Sequence, residues 1–214
     1  MHTHDKTLLE IHEDVPADHY DVGIKRNLFQ KYWHGRRFKE LLSLINFVEG
    51  PVLDVGCHSG TFTSKILTKI GSQEIYGIDI SKEAIKLAQK RLPHGHFQTG
   101  NAEKLPYREN FFAAAFCLEM LEHVDNPIAV LAEIERVLKK GAYLYILVPS
   151  ESKLFKFVWF LWTMYYSHWR HAHVQSYHKN ILEQIVKKIG FKLIKVKTFN
   201  LGMLRLIICQ KVKL

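Results

Sequence analysis

Hydrophobic positions along the chain follow two periods, and the places where one gives way to the other mark out its elements. From Ile24 to Phe47, Leu28, Tyr32, Phe38, Leu41, Leu42 and Ile45 recur near helical spacing between Lys25, Arg26, Lys31, Arg36 and Arg37, which predicts one or two helices. VLDVG, from residue 52, is a short apolar run closed by a glycine and predicts a buried strand. TFTSKILTKIG opens on hydroxyls and stops at a glycine, the boundary signals of a helix. EIYGIDI predicts a second strand, and SKEAIKLAQKRL a helix with Ser81 as N-cap and Glu83 in its first turn. A short strand near HFQTGN, a strong one at NFFAAAFCL, a helix from Pro127 to Leu138 and a strand at AYLYILVP follow.

Strand signals separated mainly by helices argue for a parallel sheet covered on both faces, with right-handed connections. KNILEQIVKKIG predicts a further amphipathic helix ending at Gly190. FKLIKVKTF and MLRLIICQKV are joined by a turn that permits only antiparallel pairing.

Composition narrows the class. With 214 residues, 47% hydrophobic and 24% charged, the chain has the make-up of a globular protein with one large core. MHTHDKTLLEIHEDVPADHYD is polar and acidic where a secretory signal would be apolar, so the chain reads as cytoplasmic. Cys57, Cys117 and Cys209 are widely spaced and form no disulfide or zinc pattern. The net charge of +9 is uneven: residues 139–214 carry 14 basic and 2 acidic groups, a local net of +12. That field favours anionic partners, whether phosphate, nucleic acid or an acidic membrane surface.

The glycines after the first strand and the acid after the second carry the chemistry. In an open parallel sheet, ligands bind at the carboxyl ends of the strands where strand order reverses. Gly56 and Gly60 let a ligand approach the backbone, and the next helix turns its free N–H groups toward it. Asp79 ends the second strand 23 residues after Gly56, a distance suited to a carboxylate that accepts from both hydroxyls of a ribose. An adenosine-containing cofactor follows. GCHSGT lacks the middle glycine of the dinucleotide fingerprint, which weighs against a nicotinamide cofactor.

VLDVGCHSG, IYGIDIS, GNAEKLPY, FFAAAFCLEMLEHVDNP and EIERVLKKGAYLYILVP resemble, in order, the successive motifs of class I S-adenosylmethionine-dependent methyltransferases. They are most similar to the small-molecule branch that contains ubiquinone and menaquinone methyltransferases. The resemblance covers residues 52–149. It implies a Rossmann-like, doubly wound α/β sheet of seven strands, mostly parallel with an antiparallel last strand and helices on both faces. It also implies one methyltransferase domain over residues 1–214. Its parts would be an N-terminal helical cap (1–50), a cofactor-binding core (51–149), an aromatic and histidine-rich lid (150–178) and a closing helix and strand pair (179–214).

Carried over by position, Asp54, Gly56 and Gly60 would surround the methionine part of S-adenosyl-L-methionine, with Cys57 and His58 contributing mainly backbone. Asp79 would hold the ribose, Ile80 would lie against adenine, and Asn101 and Ala102 would address the adenine edge. Leu118, Glu119 and His123 would form the wall under the sulfonium. The chain departs from the pattern at His58, where glycine is commonest, at Asn101, where aspartate is more usual, and at KKGAYL, read as a loop around Gly141.

Methyl transfer from a sulfonium is an in-line displacement that needs alignment and no metal; the product is S-adenosyl-L-homocysteine. A phenol, alcohol or carbon acid must also lose a proton. His168, His171, His173 and His178 cluster ahead of the last helix, and His173 is the positional match to a histidine-containing segment of the family. It is the candidate base, weighed against a solvated loop histidine. No cysteine accompanies the cluster, and no metal site is expected.

Between the fifth strand and that cluster, Phe155, Trp159, Trp162, Tyr166 and Trp169 recur at helical spacing and predict one aromatic face. The segment reads as a lid over an apolar or lipid-like small-molecule acceptor. With Lys153, Lys156 and Arg170 beside it, it also suits peripheral contact with an anionic membrane. Tyr20, Trp33, His34 and Arg36 are candidates to cap the cofactor from the N-terminal side, against the reading of an ordinary amphipathic helix. Two other functions stay open: methylation of RNA, and cofactor binding without catalysis. The first lacks a recognisable nucleic-acid module, and CLEM stands where base-amino methyltransferases carry an N/D-P-P-Y/F tetrapeptide.

Overall fold

The computed structural model describes residues 18, 22, 25, 28–71, 74–150, 152–165, 177 and 180–212, with the backbone alone for Phe29 and residues 161–165. In chain order the elements are α1 (Leu28–Leu42), β1 (Val52–Val55), α2 (Thr61–Ile70), β2 (Ile75–Asp79), α3 (Lys82–Arg91), β3 (His96–Thr99) and β4 (Phe112–Leu118). A 3-10 turn (Leu121–His123) leads to α4 (Pro127–Val137), β5 (Leu138–Pro149), α5 (Lys153–Tyr165), α6 (Ile181–Ile189), β6 (Phe191–Phe199) and β7 (Leu204–Lys211).

The local signals explain the boundaries. Ser81 Oγ accepts the Ala84 N–H at 3.3 Å and starts α3, while Asn126 Oδ1 accepts the Ala129 N–H at 3.0 Å ahead of Pro127 and starts α4. Gly71, at φ 70°, closes α2.

All seven strands join one sheet in the order β3-β2-β1-β4-β5-β7-β6. β1 pairs in parallel with β2 and β4, β2 with β3, and β4 with β5, whereas β7 lies antiparallel between β5 and β6. β7 therefore runs against every other strand, and the expected Rossmann-like α/β fold is present.

Alternation along the central strands divides the core in two. Leu53, Val55, Ala115, Cys117, Leu144 and Ile146 face α4 and α6 with Val130, Leu131, Ile134, Leu182 and Val186. Val52, Ala114, Phe116, Tyr145 and Leu147 face the other layer, with Leu41 of α1, Ile66 and Ile70 of α2 and Ile85 and Ala88 of α3. Phe116 and Tyr145 stack at 4.9 Å within that second layer.

Two expectations change. The helical pattern in the sequence runs to Phe47, yet α1 stops at Leu42; Ile45 and Val48 are buried by an irregular segment, and burial alone sustains the period there. KKGAYL is part of β5, not a loop. Leu138 pairs with Phe112 directly after α4, Tyr143 pairs with Ala114, and the irregularity between them leaves Lys139, Lys140 and Gly141 exposed.

Candidate functional site

β1 and β4 are neighbours, but the chain leaves β1 toward β2 and leaves β4 toward β5, so a crevice opens at their carboxyl ends. The expected site residues outside the lid gather at this edge. Asp54 lies in β1 and Gly56, Cys57 and Gly60 follow it; Asp79 ends β2 with Ile80 next after it, and Asn101 and Ala102 follow β3. Leu118 ends β4, Glu119 follows it, and His123 lies in the 3-10 turn beyond.

The glycine loop is tightly wound. Gly56 has φ +76°, and a Cβ there would fall 2.5 Å from Met120 Cγ, so the turn against β4 tolerates no side chain. His58 also occupies the left-handed region, at φ 46°, which is the physical reason glycine is cheaper at that position. The His58 residue is half-buried, with its Nδ1 out of solvent. Cys57 donates its N–H to the Ile78 carbonyl at 3.2 Å, and its side chain is buried in the core.

Arg91 of α3 braces this loop, its guanidinium donating to the Ser59 carbonyl, the Ser59 hydroxyl and the Thr61 hydroxyl. Arg91 was not among the expected residues. As the penultimate residue of a predicted helix it had no sequence signal beyond its charge.

Asp79 is preset by the backbone. Its Oδ2 accepts the His58 N–H and its Oδ1 the Ser81 N–H, each at 2.9 Å. A carboxylate has about four acceptor positions, so each oxygen keeps capacity for a further donor. Two neighbouring hydroxyls supply that arrangement. Gly100 returns to the same strand end, donating its N–H to the Asp79 carbonyl at 2.9 Å. Asn101 is exposed and its Oδ1 accepts the Glu103 N–H at 2.8 Å; Ala102 is half-buried against the core.

Asp54 is 2% exposed and accepts from the Thr63 hydroxyl at 2.6 Å. Burial pushes its carboxyl up to about 7, the Thr63 hydrogen bond opposes the rise, and the charge of Asp79 adds to it.

Glu119, at φ 54°, is ion-paired with Arg37 of α1, which is 3% exposed. The Arg37 guanidinium lies 4.5 Å from the centre of the Phe62 ring, and its Nη1 is 3.1 Å from His34 Nδ1. α1 thus closes on the carboxyl end of β4. Among the residues expected to cap from this side, His34 is buried at that contact and Trp33 packs against the core, but Arg36 turns outward to Glu40. The arginine of α1 that reaches the end of β4 is Arg37, which was not among those candidates. Gln30, His34, Arg37 and Leu41 are all buried at spacings of four, three and four, a phase that starting from Leu41 would have disclosed.

Tyr177 was also missed. It is buried near the end of the lid segment and donates its hydroxyl to the Leu121 carbonyl at 2.9 Å, fixing that point of the chain to the turn after β4. Phe155 is buried and Trp159 half-buried, and their rings stack at 5.9 Å. Tyr20, His168, Tyr166, Trp169, Arg170, His171, His173 and His178, and the side chain of Trp162, lie outside the described residues. Among the described residues no His, Cys, Asp or Glu cluster could hold a metal ion.

A family model described as a methyltransferase domain matches residues 25–196, an extent that takes in α1, the crevice and most of β6. The chain belongs to this methyltransferase family. Its motifs place it with the class I enzymes, whose methyl donor is S-adenosylmethionine. Among curated proteins it is similar to the demethylmenaquinone methyltransferase of Anoxybacillus flavithermus, 29% identical over 72% of this chain and 66% of that one. The first such relatives are matched over 36% to 66% of their own length. The fold is similar to that of a Haloferax volcanii putative methyltransferase solved with the Trm112 methyltransferase activator. That likeness has a TM-score of 0.73 at 16% identity, covering 91% of this chain and 98% of that one. A geranyl diphosphate methyltransferase solved with S-adenosylmethionine gives 0.71 at 14% identity, covering 94% of each chain.

Proposed function

We propose that this methyltransferase moves a methyl group from S-adenosyl-L-methionine to a small, apolar, lipid-like acceptor at a cytoplasmic membrane surface. One observation carries the reading: Asp79, its two oxygens fixed by the His58 and Ser81 N–H groups, stands at the switch-point crevice beside a glycine loop that admits no side chain at Gly56. Those residues fit an adenosyl group. S-adenosylmethionine supplies an electrophilic methyl on a sulfonium.

The chain's own residues bind and orient. Asp79 holds the ribose hydroxyls, Ile80 lies against the adenine, and Asn101 and Ala102 meet its edge. Gly56, Cys57 and Gly60 present backbone to the methionine part. Asp54, buried beneath them, stiffens the loop through Thr63. Leu118, Glu119 and His123 line the wall after β4, and Arg37 keeps the Glu119 carboxylate in place. An acceptor that must lose a proton would lose it to His173. The relative named for demethylmenaquinone supports an apolar acceptor, and Phe155 and Trp159, stacked inside α5, give that acceptor an apolar border.

Calorimetry with S-adenosyl-L-homocysteine tests the site. One molecule should bind per chain, and Asp79→Ala should weaken binding by about 10- to 100-fold, the loss of one or two charged hydrogen bonds. No heat with the wild-type protein overturns the reading. Label from methyl-labelled donor should then appear in a lipid extract and not in an RNA pool.

A further inference from the structure

The side of α5 opposite Phe155 carries residues that the crevice described above does not use. Ser152 Oγ accepts the Phe155 N–H at 3.1 Å and starts the helix, and along one side buried Phe155 and half-buried Trp159 stack on each other. On the opposite side, Lys153, Lys156, Phe157 and Phe160 fall within about 100° of arc, at 100° per residue. All four are exposed, and the phenylalanines keep 60% and 61% of their surface in water. Of the aromatic residues that the sequence placed on one face, Phe155 is buried and Trp159 half-buried; this second pair, three residues apart, stands in water.

A neighbouring loop repeats the pattern. In the turn between β6 and β7, Leu201 is 85% exposed and held at φ 56°, a conformation that costs a leucine about 1–2 kcal/mol. The turn is tied to the start of α5: Ser150 donates its N–H to the Met203 carbonyl at 2.9 Å and its hydroxyl to the Gly202 carbonyl. Leu201 and α5 therefore share one rim, at the carboxyl edge of the sheet where the crevice opens.

Single exposed apolar residues are ordinary, but two phenylalanines between two lysines on one helical face are the composition of an interfacial helix. The charge agrees. α5 carries no acidic residue, and residues 139–214 have a net charge of +12, which draws the whole face toward an anionic surface. None of the described helices is long and apolar enough to cross a membrane, so the contact lies in the plane of the interface.

We infer that the outward face of α5, with Leu201 beside it, docks on an anionic phospholipid surface and holds the mouth of the crevice against it. Phe157, Phe160 and Leu201 enter the acyl boundary, and Lys153 and Lys156 meet the phosphates. The inference rests on the proposed function only for its purpose, which is that an apolar acceptor reaches the crevice without crossing water. Docking itself needs no methyl transfer.

Flotation of the full chain with phosphatidylcholine vesicles, with and without about 40% phosphatidylglycerol, tests it. The wild-type protein should float with the anionic vesicles only. Phe157→Ser/Phe160→Ser should weaken binding at least about tenfold, from the apolar area withdrawn. Lys153→Gln/Lys156→Gln should weaken it by about 25-fold, roughly fivefold for each lysine. Both variants should bind S-adenosyl-L-homocysteine as the wild type does, which shows that they are folded.

A wild-type protein that binds the homocysteine but ignores anionic vesicles overturns the docking and leaves the methyltransferase reading intact. Full binding by the phenylalanine variant also overturns it. So does binding of single-stranded RNA that needs the lysines and not the phenylalanines, in the absence of vesicle binding, because the face would then be a polyanion site. Vesicle binding without any homocysteine binding would keep the docking and remove the proposed function.

Discussion

Asp54 and Asp79 stand one strand apart with opposite surroundings. Asp79 is half-exposed and fastened by backbone N–H groups, whereas Asp54 is sealed under the glycine loop with one hydroxyl partner. Burial raises the Asp54 carboxyl from 3.8 to about 7. The folded protein therefore holds that proton more tightly than the unfolded chain does. The stability this contributes is complete below about pH 4 and is lost as pH climbs through about 7. Between about pH 5 and pH 8 the wild type should lose roughly 2–3 kcal/mol from this group alone. Asp54→Asn, which cannot ionise, should remove that part of the slope, read by urea unfolding at the two pH values; an unchanged slope would show that Asp54 is not buried. Both acids were legible in the sequence, because a carboxylate that ends an apolar run is conspicuous. The difference between them was not, since burial depends on Thr63 and on the loop folded over Asp54.

Among the elements, α1 and α5 show how far periodicity reaches. It names the residues that share a face and is silent on which face meets the protein. In α1 the buried stripe of Gln30, His34, Arg37 and Leu41 puts Arg37 on Glu119, while Arg36, one residue away, stays in water. Breaking one partner of a buried pair leaves a charge uncompensated. Arg37→Met should therefore cost about 3–5 kcal/mol in chemical unfolding, and Arg37→Met with Glu119→Gln distinctly less. Equal losses in both variants would mean that the pair does not anchor α1. In α5 the same ambiguity hid Phe157 and Phe160 behind the more conspicuous tryptophans. KKGAYL misled for a related reason: the lysines and glycine look like a loop, but Leu138 is drawn into the sheet beside Phe112 and carries them along as an irregular stretch of β5.

Across the whole molecule the sheet grades from a sealed centre to open edges. All of β1 is buried, as is nearly all of β4, while β3 and β6 lie at the two edges with most of their residues exposed or half-exposed. Hydrogen exchange should follow that gradient, with amides of β1 and β4 roughly two orders of magnitude slower than those of β3 and β6. Uniform protection would mean that the edges are covered. The sequence by itself determined the strand and helix order, the antiparallel final pair, the methyltransferase motifs and the uneven charge. These are local facts, written in period, punctuation and composition. Only the tertiary structure decided that Arg37 reaches Glu119, that Arg91 braces the glycine loop, that Tyr177 locks onto Leu121, and that α5 turns two phenylalanines outward. Each of these joins residues far apart in the chain or chooses between two faces of one helix. That choice is made by the packing of the whole molecule and has no counterpart in any single segment.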